Sequence, residues 1–491
     1  MKKTRMLSLI LAAVLTVSSF ASCSNSGTNE ETTADTTETA ASAEETVAET
    51  EPEETQIDDG LGNPDFGGYT FRIASCMFGG DYGANRVMYA ELTGNPVNDA
   101  LYESMTYIED RFNVKYESIE FDDGGDLGTA VTSCVNAGDN AYDITINHDR
   151  TTIGNVKAGC YRNLSAVDQF DFDQPWWPET VESLSIGNRL FCASSYLSYL
   201  GLHWTRAIIV NKDYAESIGM EIPYDLVREG KWTTDALFER TFGMSQDLDG
   251  DGVYTANSDR IAFVTGSQTY YCLQEAQDIP IYRHAEDGSI YLDVDQDKID
   301  TFVQKWRSLI QSNDFYQTTD VGFGETAFQT GMNLFCYGQI GDAYDYYRLT
   351  EMRYGFLPTP KYDEYQENYI NCCTDLLWGI PQTVASEEQL TTVGTLCEAI
   401  SCYNYQNVLP AYFEVAMKAR AADSADDAEM LQLIADTRTI AFSFSYDLQM
   451  QNILSDLGTS TKEVASYIQS KSKVTAKALE KFLETMNELE D

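Results

Sequence analysis

Apolar positions along most of this chain switch between two periods. Residues 69–75 (YTFRIAS) are dense in β-branched and aromatic side chains and predict a first strand. Leu101, Met105, Ile108 and Phe112 then recur on one helical face, with Asn98 as the predicted cap. Residues 114–121 predict a second strand, 127–137 a helix, and 142–147 (YDITIN) a third strand. This βαβαβ order implies a parallel sheet covered by helices, an α/β protein. A further strand is expected at 207–211, a helix from Thr234, and mostly helical sequence from Glu387 onward. Ligands of open α/β sheets meet the loops beyond the carboxyl ends of the strands, here 76–82 and 148–150.

The first residues break that pattern. Lys2, Lys3 and Arg5 precede an almost unbroken apolar run at 6–17, and Phe20-Ala21-Ser22 leads into Cys23. A basic start, a short apolar run and small residues make a secretory signal, too short to span a bilayer. The segment ending at Cys23 resembles the lipobox of bacterial lipoproteins, with Phe20 where Leu is usual. That resemblance implies lipidation of Cys23 and an extracellular protein held to the outer face of the cell membrane by its acyl chains. Residues 24–62 are Thr, Glu, Ala, Ser and Asp, with no Lys or Arg between Arg5 and Arg72. Such a stretch buries too little to fold and predicts an extended tether.

Composition then narrows the partners. With 32 basic and 78 acidic residues the formal net charge is −46, which argues against nucleic acid and a bare anionic membrane surface. Ten cysteines beyond Cys23 are scattered without CxxC spacing and read as small buried hydrophobes rather than disulfides. The three histidines, His148, His203 and His284, fall in no HExxH motif, and there is no Gly-x-Ser-x-Gly elbow. Enzyme readings therefore have little to stand on, although among 78 acidic residues no carboxylate pair is excluded. A two-carboxylate glycosidase and a surface glycan-binding adhesive lipoprotein stand as the alternatives.

One segment points to a metal. Asp247-Leu248-Asp249-Gly250-Asp251-Gly252 sets carboxylates at alternate positions with glycine at the turn, the pattern of a calcium loop. Asp247, Asp249 and Asp251, the carbonyl of Val253 and a later acid, Asp259, are the candidate ligands of a structural Ca2+. The twelfth position is Ser258 rather than Glu, so a solvated acidic turn is the competing reading.

Several motifs recur in order through the rest of the chain. Asn98-Asp99-Ala100 opens the first helix and Trp176-Trp177 follows; Ile209-Val210-Asn211-Lys212 precedes residues 224–233 (YDLVREGKWT). Gly331-Met332-Asn333-Leu334-Phe335 and Leu349 lead to 354–361 (YGFLPTPK) and Trp378-Gly379-Ile380-Pro381. From about residue 67 to the C-terminus this order resembles the family 1 extracellular solute-binding proteins, the class of the maltose-binding protein. The resemblance implies a two-lobed, type 2 periplasmic-binding-protein-like fold. In that fold each lobe is a mixed sheet flanked by helices, and two or three crossings form the hinge. It also implies a monomer that binds a small solute, a sugar or oligosaccharide, and delivers it to the permease subunits of an ABC importer. The first lobe is expected at 63–205 with a return segment at 354–402, and the second at 206–353 with most of 403–491. Crossings are expected near 203–206 and 354–361. A pyranose presents a C–H face to an aromatic ring and hydroxyls to paired polar groups. The candidates near the crossings and strand ends are Trp204, Arg206, His148, Asp149, Tyr344 and Trp378. Trp176, Trp177 and Trp232 are expected to be packing residues.

Overall fold

The computed structural model describes residues 56–489 except 77–86, 89–90, 179, 267–268, 319–326, 348–349, 374–375 and 419–424, with the side chains of 414–418 also excluded. The signal segment with Cys23, nearly all of the tether, most of loop 76–82 and Leu349 lie outside the described residues. The folded body begins at Asp58, ahead of the expected 63. Arg111 causes the difference. Its guanidinium grips both Asp59 carboxylate oxygens, at 2.6 and 2.8 Å, and donates to the Gly62 carbonyl at 2.6 Å.

β1 (Tyr69–Cys76), β2 (Val114–Phe121) and β3 (Ile144–His148) run parallel, with β2 and β3 on either side of β1. The helix between β1 and β2 spans Pro96–Phe112 and is capped by Asn95, not Asn98. Asn95 Oδ1 accepts from the N–H groups of Val97 and Asn98, and Pro96 takes the first helical position, where no donor is needed. Val97, Leu101, Ile108 and Phe112 form its buried face. The helix Gly124–Ala137 joins β2 to β3. Gly124 is required by close approach, since a Cβ there would stand 2.7 Å from Asn147 Oδ1 at the end of β3.

A second sheet begins at β4 (Arg206–Asn211) and continues with β5 (Phe263–Thr265). A two-stranded hairpin, β6 (Tyr282–His284) and β7 (Ile290–Leu292), stands outside it. β8 (Phe315–Gln317), β9 (Phe335–Gln339) and β10 (Tyr354–Leu357) complete the order β10-β4-β9-β5-β8. β5 is parallel to β8 and β9, while β4 is antiparallel to β9 and β10. The expected crossing at 354–361 is thereby corrected, because β10 pairs with β4 and stays in the second sheet.

The return comes later, through β11 (Asn371–Cys373) into β12 (Leu376–Gly379), which pairs antiparallel with β3 and completes the first sheet as β12-β3-β1-β2. The chain crosses again at β13 (Arg438–Ile440), parallel to β11. Thr205, just before β4, bridges to Cys373. Three crossing segments thus lie side by side, hydrogen-bonded into one strap between the sheets.

All ten cysteines of the folded body are buried, as small hydrophobes of a core this size. Trp176, Trp177 and Trp232 are packing residues. Trp232 donates its indole N–H to the Pro358 carbonyl at 2.8 Å. Trp176 and Trp177 both donate to Glu398, at 2.8 and 2.9 Å.

Candidate functional site

The carboxyl end of β3 leads straight into His148, Asp149 and Arg150. His148 Nδ1 lies 2.8 Å from Asp149 Oδ1, and Asp149 is wholly buried. Its other oxygen accepts from Ser445 Oγ at 3.0 Å. Ser445 belongs to the short helix Phe442–Ser445 that follows the third crossing strand. Arg150 reaches the same segment, pairing with Asp447 at 2.5 Å and holding its guanidinium 5.0 Å over the Phe444 ring. The first lobe's strand end is therefore tied to the residues just beyond β13.

The second lobe meets that segment with aromatic side chains. The helix Tyr270–Ala276 follows β5, so its first residues lie beyond that strand's carboxyl end. The Tyr271 ring lies on Phe444 with centroids 3.6 Å apart and planes 4° from parallel. Tyr270 donates its hydroxyl to Gln317 Oε1 at 3.0 Å, at the end of β8. Thr265 Oγ1, at the end of β5, lies 3.1 Å from Thr269 Oγ1 and 3.2 Å from the Tyr337 carbonyl. Arg206, nearly buried at the start of β4, acts electrostatically on both Tyr271 and Tyr337. Burial pushes the Tyr271 hydroxyl well above 10, and Arg206 only partly opposes this, so the phenol stays neutral and can both donate and accept.

The nominated residues divide on this geometry. His148, Asp149 and Arg206 come together around the Tyr271–Phe444 stack. Trp204 ends the helix Leu200–His203 immediately before the first crossing and keeps 8 % exposure. Trp378 is a correction. It is a buried core residue of the first lobe, its ring packed against Phe170 and Trp177 and its indole N–H 3.2 Å from Ser195 Oγ.

Tyr344 joins a different cluster. Its ring stacks on Tyr412 at 5.8 Å, and its hydroxyl accepts from Asn95 Nδ2, the cap of the first helix, at 2.9 Å. His203 sits in the same cluster, 3.0 Å from Asp345 Oδ2 and 3.1 Å from the Tyr412 hydroxyl. Tyr344 thus links the helix Gly341–Asp345 beyond β9 to the first lobe. Sequence reasoning missed Tyr271 and Phe444. Aromatic character was the only local signal for either, in a chain with 31 tyrosines and 22 phenylalanines.

The acidic loop converges differently from its sequence spacing. Oxygens of Asp247, Asp249 and Asp259 all lie within 4.8 Å of one another. Asp251 is not among them; its Oδ1 accepts from the Val253 N–H at 2.7 Å. Gly250 and Gly252 both have positive φ, 76° and 78°, which turns the loop tightly enough to bring Asp259 in. Asp259 accepts from the N–H groups of Thr255 and Leu248, which hold its carboxyl below the usual range.

The sequence matches no protein-family model and no curated protein. Solved structures share its fold. A cyclo/maltodextrin-binding protein complexed with maltotetraose superposes with a TM-score of 0.52 at 14 % identity, covering 87 % of this chain and 97 % of that one. The maltose/maltodextrin-binding domain MalE of Bdellovibrio bacteriovorus, bound to maltotriose, gives 0.50 at 12 % identity, covering 83 % and 100 %. UgpB of Mycobacterium tuberculosis, in complex with glycerophosphocholine, gives 0.51 at 14 % identity, covering 85 % and 99 %. The chain therefore has the two-lobed α/β fold of these solute-binding proteins.

Proposed function

We propose that this protein closes its two lobes on a small solute, a saccharide or related polyol, and hands it to the membrane permease of an ABC importer. One observation carries the reading: the strand ends of both sheets and the segment after the third crossing meet at a single aromatic and polar cluster, Tyr271, Phe444, Asp149, Arg150 and Arg206. Flat rings suit the C–H face of a sugar, and a carboxylate beside guanidinium groups suits its hydroxyls. A site built from both lobes lets the solute favour the closed state through contacts the open state lacks. The maltodextrin-binding structures of the same fold are complexes with maltotetraose and maltotriose, and the proposal is binding without chemistry. The test is a melting-temperature screen against mono- and oligosaccharides, since a solute that binds only the folded state raises that temperature. Release of cleaved sugar from the same mixtures would turn the assignment to a glycosidase.

The protein acts at the outer face of the cell membrane, held by acyl chains on Cys23 and set off from the surface by the acidic tether. Replacing Cys23 with alanine is expected to move the protein from the membrane fraction to the medium. A variant that stays with salt-washed membranes removes the anchor from the proposal.

The loop 247–259 holds a structural calcium ion through Asp247, Asp249 and Asp259, the carboxylates that converge there. Chelation is expected to lower the melting temperature of the wild type by a few degrees and to leave Asp249→Ala unmoved. Identical wild-type curves with and without calcium reduce the loop to an acidic turn.

A further inference from the structure

Arg438 opens the third crossing strand and is among the largest fully buried side chains of the protein. Its Nε, Nη1 and Nη2 are each buried without a hydrogen-bond partner among the described residues. The guanidinium lies 5.1 Å over the ring of Tyr196, which is itself buried and meets Tyr405 edge-on at 5.3 Å. Nearby polar groups are committed elsewhere. Asn371, opposite Arg438 in the strap, accepts from Thr359 N–H at 2.8 Å and donates to Thr437 Oγ1 at 2.7 Å. Asp436 takes its hydrogen bond from Gln432 at 2.8 Å.

A guanidinium keeps its charge at any accessible pH, so it cannot escape burial by losing a proton. A buried charge is tolerated when an opposite charge and hydrogen bonds attend it, and one cation–π contact returns only part of the desolvation cost. Five N–H donors in a planar fork match an oxyanion better than any other ligand group. The position matters too, because the strap joins the two lobes and runs directly into the segment carrying Phe444.

We propose that Arg438 receives an anionic group of the solute, so that the protein prefers acidic saccharides carrying a carboxylate, sulfate or phosphate. This rests on the solute-binding function above and names the class of solute. A neutral sugar would leave the guanidinium uncompensated, whereas an acidic one supplies the missing charge when the lobes close.

The experiment compares wild type with Arg438→Met, using calorimetric titration and melting curves at matched ionic strength. The probes are glucuronate, glucose 6-sulfate, glucose 6-phosphate, glucose, maltotriose, and inorganic sulfate and phosphate. At least one acidic sugar is expected to bind the wild type tenfold or more tightly than glucose, and the variant is expected to lose that preference. The ligand-free variant should melt higher, because it no longer buries an uncompensated charge. Neutral sugars bound as tightly as acidic ones, equally by both proteins, would overturn the acidic preference while leaving the solute-binding function intact. Inorganic anions matching the acidic sugars in both proteins would overturn it as well. No saccharide binding by either protein would defeat the solute-binding function, and the inference with it.

Discussion

Glu398→Ala is expected to destabilise the first lobe by roughly 2–5 kcal/mol, read as a fall in the urea midpoint at unchanged slope. The buried Glu398 carboxylate receives the indole N–H groups of both Trp176 and Trp177 and, more weakly, the Asp171 N–H at 3.4 Å. Truncation leaves two buried donors without acceptors, at about 1–3 kcal/mol each, and opens a cavity beside two tryptophans. The Trp177 ring also packs against Trp378, so the loss reaches β12. A change under about 1 kcal/mol would show that water replaces the carboxylate at no cost, and that the clamp is not structural.

The same residue sets a pH dependence. Burial pushes the Glu398 carboxyl from 4.5 up to about 7, against the opposing pull of the tryptophan donors. The folded state then holds the proton more tightly than the unfolded chain. Stability attached to this group is present below pH 4.5 and is lost as pH rises to about 7, a change of roughly 3 kcal/mol. Glu275 is pushed the same way, to about 8, so the informative quantity is the difference between wild type and Glu398→Gln. That variant should show a flatter stability profile between pH 5 and 7. It also loses one acceptor for the indole pair, which lowers its stability at pH 5 relative to wild type. Parallel profiles for the two proteins would remove Glu398 from the pH response.

Tyr271→Ala is expected to weaken binding of any solute found in the saccharide screen by about 2 kcal/mol or more, roughly thirtyfold in Kd. The ring is rigid, nearly buried, and faces Phe444 across the meeting point of the two lobes. A solute entering between the lobes exchanges one aromatic contact for its own, so deletion of the ring removes a wall of the site. Tyr271→Phe separates the ring from the hydroxyl. It should keep most of the stacking and lose only what a phenol hydrogen bond to the solute contributes, about 1 kcal/mol. Both variants also lose some stability, so affinity and denaturation midpoint are to be measured on the same samples. Full affinity in Tyr271→Ala alongside a large stability loss would make this stack a packing contact. The site would then be sought at Trp204.

Local order is legible in the chain itself. Period-3.6 and period-2 patterns place β1, β2, the helix Pro96–Phe112 and the start of the helix Glu387–Lys418 within a few residues. These depend on neighbours at short sequence distance, and the caps and apolar faces that specify them are written locally. The packing roles of Trp176, Trp177 and Trp232 are legible for similar reasons. The helix start illustrates the limit: Asn98 and Asn95 are equally plausible caps by type, and Pro96 at the first helical position goes with Asn95.

Pairings between distant segments are decided only by the tertiary structure. β10 reads as a return strand, yet its partner is β4, and nothing in either sequence forbids the other sheet. Trp378 looks like a ligand platform until Phe170, Trp177 and Ser195 close around it. Asp259 falls one place late for a calcium loop, and the turns at Gly250 and Gly252 still bring it to Asp247 and Asp249. The Tyr271–Phe444 stack joins residues far apart in the chain, brought together when β5 and β13 deliver their following helices to one place. The sequence determines which segments are helix, strand and tether, because those choices rest on nearest-neighbour sterics and periodic burial. Which side chains meet beyond the strand ends, and that the Arg438 guanidinium is buried with no hydrogen-bond partner among the described residues, follows only from how the three crossing strands pack, since contact between remote residues depends on the whole chain's path.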